Sequence, residues 1–285
     1  MVEPLAFGLD EVRRALAEDR ATEDVTTQLL GALAERRVAA RFVAEDEFVV
    51  AGIPILATVF QELDTGAAMT PCLPEGAWTS AGATLAVVRG AAAAVLAGER
   101  VALNFVQRLS GIATLTRRAV DAVQGTSARI THTRKTTPGL RELELYAVRT
   151  GGGVENRASL AAAVLWKDNH WTLATQAGTS LAGALRAAPP AQRGLPVIVE
   201  VESDAQLEAA LAAGVTHLLV DNQPPDRVAA WAQRAGRAVT IQASGGITVD
   251  LVRAYAQAGA SLIAIGALTH SAPAAPIRCD IDAES

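Results

Sequence analysis

Three cationic side chains lie where apolar runs of the sequence end, and a fourth follows a glycine-rich segment. They are Arg134 and Lys135 after "SARITHT", Arg157 after a triple glycine, and Lys167 after "AAAVLW". Arginine and lysine are the side chains that bind carboxylates and phosphates. Any one of them alone would be expected to be a solvated loop charge. Their shared placement predicts a site for an anion that carries several carboxylates or phosphates.

Carboxylates and small residues occupy the matching positions of the later runs. Glu200 lies in "LPVIVEVES" and Asp221 lies in "THLLVDN". Carboxylates in a phosphate-binding site fit Mg²⁺, which takes few protein oxygens and bridges through phosphate groups. Two small-residue turns follow the last two runs, and their backbone N–H groups predict a phosphate cradle. These turns contain Ser244, Gly245 and Gly246, and then Gly266 and Ala267.

Six apolar runs in the second half of the chain alternate with helical segments. Strands are predicted within 127–133, 161–170, 195–203, 216–222, 238–247 and 261–271. Near-continuous apolar strands are buried on both faces and are therefore parallel. Ligands bind at the C-terminal ends of parallel strands, so the cations, carboxylates and small-residue turns should meet there. The repeat favours a βα barrel, with an open doubly wound sheet as the alternative.

Local signals place several of the intervening helices. The segment "LRELELYAVRTGGG" predicts a helix closed by glycines. Ser203 and Gln206, three residues apart, predict a capping box for the helix that follows. Further on, Val228, Trp231 and Ala232 have the spacing of a core-facing helical stripe.

The first part of the chain follows another pattern. The segments "ERRVAARFVAEDEFVVAG" and "AWTSAGATLAVVRG" predict antiparallel strands joined by glycine turns, and a long helical stretch follows at 91–124. The fold class is therefore α/β. We predict an N-terminal α/β sandwich domain over 1–108 and an incomplete parallel βα barrel over 109–271, with the tail 272–285 packed back on the first domain.

Composition narrows the class of protein. The chain has 285 residues, of which 50% are hydrophobic, and a formal net charge of -5. This charge gives no reason to expect nucleic acid or an anionic membrane as a partner. No apolar stretch reaches the roughly 18 to 20 residues of a membrane span. Two cysteines, Cys72 and Cys279, are too few for a disulfide framework. We therefore expect a soluble, cytoplasmic protein.

Several ordered motifs together resemble one family. They are "EDRATEDVTT", "GERVALNFVQRLSGIAT", "THTRKTTPGLRELELYAVRTGGGVENR", "VLWKDNH", "VEVES", "LLVDN", "ASGGI" and "IGALTHS". In order and spacing they are similar to the quinolinate phosphoribosyltransferases, the decarboxylating nicotinate-nucleotide pyrophosphorylases of NAD biosynthesis. The similarity runs from about residue 10 to residue 271.

The resemblance implies a site and an assembly. Quinolinate would be bound by Arg134, Lys135, Arg157 and Lys167, with Asn156 beside them, while Arg100 would reach into the site of a partner subunit. Glu200 and Asp221 would face Mg²⁺ and the ribose of phosphoribosyl pyrophosphate, and the turns at 244–246 and 266–267 would hold its 5′-phosphate. Lys135, Glu200 and Asp221 are the expected catalytic residues. The assembly would be a homo-oligomer, either a dimer or a hexamer built from dimers.

The sequence also departs from the family pattern. Glu155 and Asn156 replace the usual Asn-His pair, Gln242 replaces an acidic residue, His132 replaces an aspartate, and Trp166 replaces a smaller apolar residue. Three alternatives therefore stay open. They are a related phosphoribosyltransferase with another aromatic acid as acceptor, a barrel lyase that forms a Schiff base on Lys135 or Lys167, and a non-catalytic protein that senses nicotinate nucleotide.

Overall fold

A computed structural model describes residues 7–283 of the chain. The helices are α1 (Leu9–Glu18), α2 (Val25–Gln28), α3 (Ile53–Leu63), α4 (Ala92–Ala122), α5 (Arg141–Thr150), α6 (Asp168–Gln176), α7 (Leu181–Arg186), α8 (Asp204–Ala212), α9 (Pro225–Ala235), α10 (Val252–Gln257) and α11 (Ala267–His270). The strands are β1 (Arg37–Ala44), β2 (Phe48–Val49), β3 (Ala68–Pro71), β4 (Trp78–Thr79), β5 (Thr84–Ala91), β6 (Arg129–Thr131), β7 (Val164–Trp166), β8 (Val197–Val201), β9 (His217–Asp221), β10 (Thr240–Ser244), β11 (Leu262–Ala264) and β12 (Ile277–Ala283).

These elements divide into two compact units. One unit contains 7–117, Thr136–Gly152 and the described residues from Ser271 onward, and the other contains Arg118–Lys135 and Gly153–His270. The chain therefore passes between the units four times. The domain boundary at residue 108 lies inside α4 and stays a prediction.

An antiparallel sheet forms the centre of the first unit. Its strand order is β12-β1-β5-β3, and β2 and β4 form a separate antiparallel pair. The pairings β1–β5 and β2–β4 confirm the predicted antiparallel strands. Side chains of β1 such as Phe42 point into the core, where its ring lies 5.9 Å from that of Phe60 on α3. This sheet and the helices beside it confirm the α/β class of the N-terminal part.

The long helix α4 is tied to the first unit through small and hydroxyl residues. Ser110 accepts a hydrogen bond from the N–H of Ala51 at 3.0 Å, and Thr114 accepts one from the N–H of Val49 at 2.8 Å. A Cβ atom at Gly111 would lie 2.0 Å from the carbonyl oxygen of Pro273. The absence of a side chain at this position lets the segment before β12 cross directly over the helix.

Six parallel strands form the sheet of the second unit. The order is β6-β11-β10-β9-β8-β7, and every neighbouring pair is parallel. Apart from the gap between β6 and β7, the strands follow one another in chain order, which is the order of a βα barrel that does not close. The presence of six parallel strands and the incomplete barrel are confirmed.

Two predicted strands are only partly correct. The run at 261–271 forms a strand only from Leu262 to Ala264, because helix α11 begins at Ala267. The run at 161–170 forms a strand only from Val164 to Trp166, because helix α6 begins at Asp168. The cause is local, since the backbone N–H of Lys167 donates to Nδ1 of His170 and closes the first helical turn. The Ser203 cap is confirmed, but the Gln206 side chain accepts from the N–H of Glu202 rather than of Ser203.

A buried carboxylate fixes the segment that follows Lys135. Glu144 on α5 has no exposed surface. It accepts hydrogen bonds from the Arg108 guanidinium at 2.9 Å and from the backbone N–H of Thr137 at 3.0 Å. Arg108 also donates to the carbonyl of Ala272 at 3.1 Å. Glu144 therefore joins α4, α5 and the segment at Thr137, and Arg108 extends the connection to Ala272.

We expect Glu144→Ala to be strongly destabilising. Removing a buried carboxylate takes from Arg108 its ionic partner, at a cost of about 3–5 kcal/mol in the free energy of unfolding. Urea denaturation measures the change. The control is Glu142→Ala on the exposed side of the same helix, which should cost less than about 0.5 kcal/mol. Equal losses in the two variants would contradict the role of Glu144.

Candidate active site

The C-terminal ends of the six parallel strands bring most of the predicted site residues to one edge of the sheet. Parallel strands place these ends together. The residues at or just after the ends are Arg134, Lys135, Lys167, Glu200, Asp221, Ser244, Gly245, Gly246, Gly266 and Ala267. Val154 forms a parallel β-bridge with Thr131 of β6. Asn156 and Arg157 follow Val154 in the chain and therefore lie at the same edge.

Two guanidinium groups lie close together on the cationic side. The Nε atoms of Arg134 and Arg157 are both buried and have no hydrogen-bond partner. Burial lowers the pKa of Arg157, and the charge of Arg134 lowers it further. Burying donors and like charges without partners costs free energy. The pair is therefore arranged for an anion with acceptor oxygens.

His132 holds the segment that carries Arg157. Its ring is buried, and Nε2 accepts a hydrogen bond from the N–H of Asn156 at 3.2 Å. The Asn156 side chain in turn donates to the carbonyl of His132 at 3.0 Å. Glu155 lies beside this ring but is 59% exposed, with 3.9 Å between its carboxylate and Nε2 of His132. The departures at 132, 155 and 156 thus form one local network.

The segments that follow β6 and β11, the first and last strands of the second unit, contact each other at Lys135 and Gly266. The hydroxyl of Thr269 donates to the carbonyl of Lys135 at 2.8 Å. A Cβ atom at Gly266 would lie 3.2 Å from Cδ of Lys135 and 3.1 Å from Nε2 of His270. Glycine at this position allows the lysine stem and the histidine ring to approach the backbone closely.

The acidic side of the site contains three carboxylates. Oxygen atoms of Glu200, Glu202 and Asp221 all lie within 4.8 Å of one another. The backbone N–H of Asp168 donates to Glu200 at 3.3 Å, and the indole of Trp171 donates to the Glu200 carbonyl at 2.9 Å. Burial raises the pKa of Glu200, and the charges of Asp221 and Asp168 raise it as well.

This donor set fits a hard divalent cation. Mg²⁺ is bound through carboxylates together with the phosphates of a substrate. In the absence of a cation, burial and then the negative charge of Asp221 raise the pKa of Glu200. Glu202 was not among the residues predicted for the site, although its position two residues after Glu200 in an extended segment places both side chains on one face.

The turn at Ser244–Gly246 lies directly against the acidic side. Gly245 and Gly246 have φ angles of 91° and 61°, which favour glycine. The N–H of Asn222 donates to the carbonyl of Ser244 at 3.0 Å. A Cβ atom at Gly245 would lie 2.2 Å from Oδ1 of Asn222. Asn222 was not among the residues predicted for the site, although it lies directly between Asp221 and the next helix.

The other departures from the family pattern, Gln242 and Trp166, also lie in the second unit. Gln242 is 1% exposed and bonds to the ring of His217 at 2.8 Å. Burial lowers the pKa of His217, so the pair is neutral at neutral pH. The ring of Trp166 lies 5.7 Å from that of His170, and its indole nitrogen is buried without a hydrogen-bond partner.

Arg100 is the one predicted site residue that belongs to the first unit. It is exposed on α4 and lines a cleft of about 640 Å³ together with Arg14, Asn104, Arg108 and Thr137. Its assignment to a site stays a prediction.

Comparison with known proteins agrees with this geometry. The family model described as "Quinolinate phosphoribosyl transferase, C-terminal domain" matches residues 112–280, and the model of the N-terminal domain of the same family matches 24–110. The chain belongs to the quinolinate phosphoribosyl transferase family.

Relatives of known name cover nearly the whole chain. A nicotinate-nucleotide pyrophosphorylase [carboxylating] of Mycobacterium leprae is 41% identical over 95% of this chain and 96% of its own length. A probable enzyme of the same name from Bacillus subtilis is 39% identical over 93% of this chain and 90% of its own. The crystal structure of the nicotinate-nucleotide pyrophosphorylase from Ehrlichia chaffeensis has a TM-score of 0.89 at 32% identity, covering 98% of this chain and 100% of that one.

The contact between Asn222 and Gly245 leads to a stability prediction for this family member. Gly245→Ala places a Cβ atom 2.2 Å from the Asn222 side chain and 2.6 Å from its backbone nitrogen. It should lower the free energy of unfolding by at least about 2 kcal/mol. The control is Gly246→Ala, where φ is also positive but no atom lies within 4 Å of the new Cβ.

Gly246→Ala should therefore cost only about 1 kcal/mol, from backbone strain alone. Denaturant titration of the two variants gives the comparison. If both variants were equally destabilised, the close approach of Asn222 to the glycine turn would not be the cause.

Proposed function

We propose that this protein transfers the phosphoribosyl group of phosphoribosyl pyrophosphate to quinolinate and removes a carboxylate. The products are nicotinate mononucleotide, pyrophosphate and CO₂, and the reaction serves NAD biosynthesis. The observation that carries the proposal is that the buried guanidinium Nε atoms of Arg134 and Arg157 have no hydrogen-bond partner while the two charges repel each other. The names of the relatives, nicotinate-nucleotide pyrophosphorylases [carboxylating], support it.

The cationic residues fit a dicarboxylate. Arg134, Lys135, Arg157 and Lys167 together carry four positive charges, which exceeds what a monocarboxylate neutralises. A carboxylate bound between Arg134 and Arg157 would satisfy the two Nε donors and reduce the repulsion between the guanidiniums. Asn156 is held beside them through His132. We assign these side chains to quinolinate.

The acidic residues fit the phosphoribosyl donor with its metal. Glu200 and Asp221, with Glu202, would hold Mg²⁺, either directly or through the pyrophosphate. Bound there, the ion neutralises charge on the departing pyrophosphate. The same carboxylates stabilise positive charge that develops on the ribose. The turns at 244–246 and 266–267 supply backbone donors for the 5′-phosphate.

The reaction needs no protein nucleophile. The pyridine nitrogen forms a bond to the anomeric carbon while the bond from that carbon to pyrophosphate breaks. CO₂ then leaves from the ring carbon beside the pyridinium nitrogen, and the electron pair of the broken bond stays on that carbon, where the positive nitrogen stabilises it. A proton from solvent adds to this carbon and gives nicotinate mononucleotide. This chain contributes by orienting the two substrates and by placing charge where it develops.

The structure gives weaker support to the competing functions. A Schiff-base lysine is usually activated by desolvation, whereas Lys135 and Lys167 are both exposed. A sensor of nicotinate nucleotide would bind the product without turnover. The third alternative is a different aromatic acid as acceptor, because Glu155 and Trp166 differ from the family pattern. A panel of substrates distinguishes this alternative from quinolinate.

We expect quinolinate to be used at least tenfold better than nicotinate, as measured by kcat/KM, because a monocarboxylate leaves a buried guanidinium donor of Arg134 or Arg157 without its partner. Release of CO₂ should keep step with release of pyrophosphate. A panel of pyridine and benzoic acids, with both products measured, is the test. Quinolinate would not be the acceptor if nicotinate or a benzoate were used better, or if pyrophosphate were released without CO₂.

We also propose that the active unit is a homo-oligomer, a dimer or a hexamer of dimers, in which Arg100 serves the partner's site. Exposure of Arg100 on α4 is compatible with this role. A cytoplasmic location is proposed as well, since Cys72 and Cys279 are both free. None of the helices within 7–283 is long and apolar enough to span a membrane.

Subunit mixing tests the shared site. Arg100→Ala and Lys135→Ala should each be nearly inactive alone. Mixed subunits should recover activity, because some sites then contain both native residues. Subunit exchange is verified by native mass spectrometry with one variant isotope-labelled. Absence of recovery after verified exchange would contradict a site built from two chains.

A further inference from the structure

Asn222 adopts an uncommon backbone conformation at the end of β9. Its φ is 53°, and within the described part of the chain Arg20 is the other non-glycine residue with positive φ. A left-handed non-glycine residue costs of order 1–2 kcal/mol, although asparagine tolerates it better than most. Such a conformation at a functional site is retained when it directs a group to where it is needed.

The side chain of Asn222 is directed back onto Asp221. Its Nδ2 donates to Oδ2 of Asp221 at 2.6 Å. The carboxylate of Asp221 lies within 4.8 Å of those of Glu200 and Glu202, which repel it. The amide is a neutral donor that fixes one oxygen of Asp221 and leaves the other available to a ligand.

The remaining groups of Asn222 face the glycine turn. Its N–H donates to the carbonyl of Ser244 at 3.0 Å. The space where Gly245 would carry a Cβ is filled by Oδ1, Cγ and N of Asn222, at 2.2 to 2.7 Å. Asn222 is therefore in direct contact with both the acidic cluster and the turn at 244–246.

We propose that Asn222 is a positioning residue that sets the Asp221 carboxylate relative to the glycine turn. This inference rests on the proposed function, in which one end of phosphoribosyl pyrophosphate meets the carboxylates and the other meets the turn. Phosphoribosyl pyrophosphate carries charge at both ends, so it binds well only when the two subsites lie at the correct distance from each other. Asn222 fixes that separation without itself touching the reacting atoms.

Two substitutions separate the side chain from the backbone. Asn222→Gly removes the amide and adopts positive φ without strain. Asn222→Ala removes the same amide but keeps the strain. Isothermal titration with Mg²⁺ and phosphoribosyl pyrophosphate, in the absence of an acceptor, measures the affinity of each variant, and thermal unfolding measures its stability.

Both variants should bind phosphoribosyl pyrophosphate at least roughly tenfold more weakly, as expected for loss of a hydrogen bond to a charged group. The KM for quinolinate should stay within about twofold, because its cationic site is untouched. Only Asn222→Ala should lose stability. Native affinity in Asn222→Gly, or equal losses for both substrates, would overturn the proposal.

A double-variant cycle tests whether Asn222 acts through Asp221. In an Asp221→Asn background, Asn222→Gly should weaken binding by less than about twofold, because the carboxylate that it positions is already gone. An equal loss in both backgrounds would show that Asn222 acts independently and would overturn the role. If the native protein and the variants bind phosphoribosyl pyrophosphate with the same affinity, only this inference fails. If the native protein binds none, the proposed function fails with it.

Discussion

Parallel hydrogen bonding between the six strands of the second unit is the constraint on which the site depends. The functional residues come from segments that are far apart in the sequence, at 134–135, 156–157, 167, 200–202, 221–222, 244–246 and 266–267. They meet only because all six strands run in one direction and end at one edge. A single reversed strand would carry its functional residues to the opposite end. The short strands, three to five residues each, suffice because register is enforced on both sides of all but the edge strands.

The edge so formed is electrostatically divided. Guanidiniums with unsatisfied donors lie on one side, and three mutually repelling carboxylates lie on the other. Each side is unfavourable without a ligand, as the lowered pKa of Arg157 and the raised pKa of Glu200 indicate. The free energy that this arrangement costs is offset by the apolar interior of the unit and, in the first unit, by fully satisfied groups such as Glu144. Binding of an acid beside a metal-bearing phosphate ester would remove both sources of repulsion.

The features readable from the sequence were those that repeat. Apolar runs separated by helical stretches predicted the parallel strands, and the polar residues after each run predicted which side chains would meet. The order of motifs led to the family. Contacts that depend on tertiary structure could not be read in this way. The carboxylate of Glu144 bonds to Arg108, which is 36 residues away in the sequence, and nothing near it in sequence marks it as buried.

Two local errors have the same origin. The strand predicted through residue 170 stops at Trp166 because a hydrogen bond from Lys167 to His170 starts a helix, and apolar periodicity does not report such a bond. Asn222 was passed over because its importance lies in a backbone angle, which residue type alone does not specify. The backbone angle of a single residue and the individual hydrogen bonds of a side chain could therefore not be predicted from the sequence.

The antiparallel sheet of the first unit has a consequence for biosynthesis. Its edge strand β12 pairs with β1 in a register that joins Val38 to Ala283. The ribosome makes β1 long before it makes residues 277–283, so one side of β1 has exposed hydrogen-bonding groups for most of translation. Exposed edges invite pairing with other chains. The nascent chain therefore has its greatest exposure to misassociation before its last strand emerges, and a chaperone that shields this edge would act within that interval.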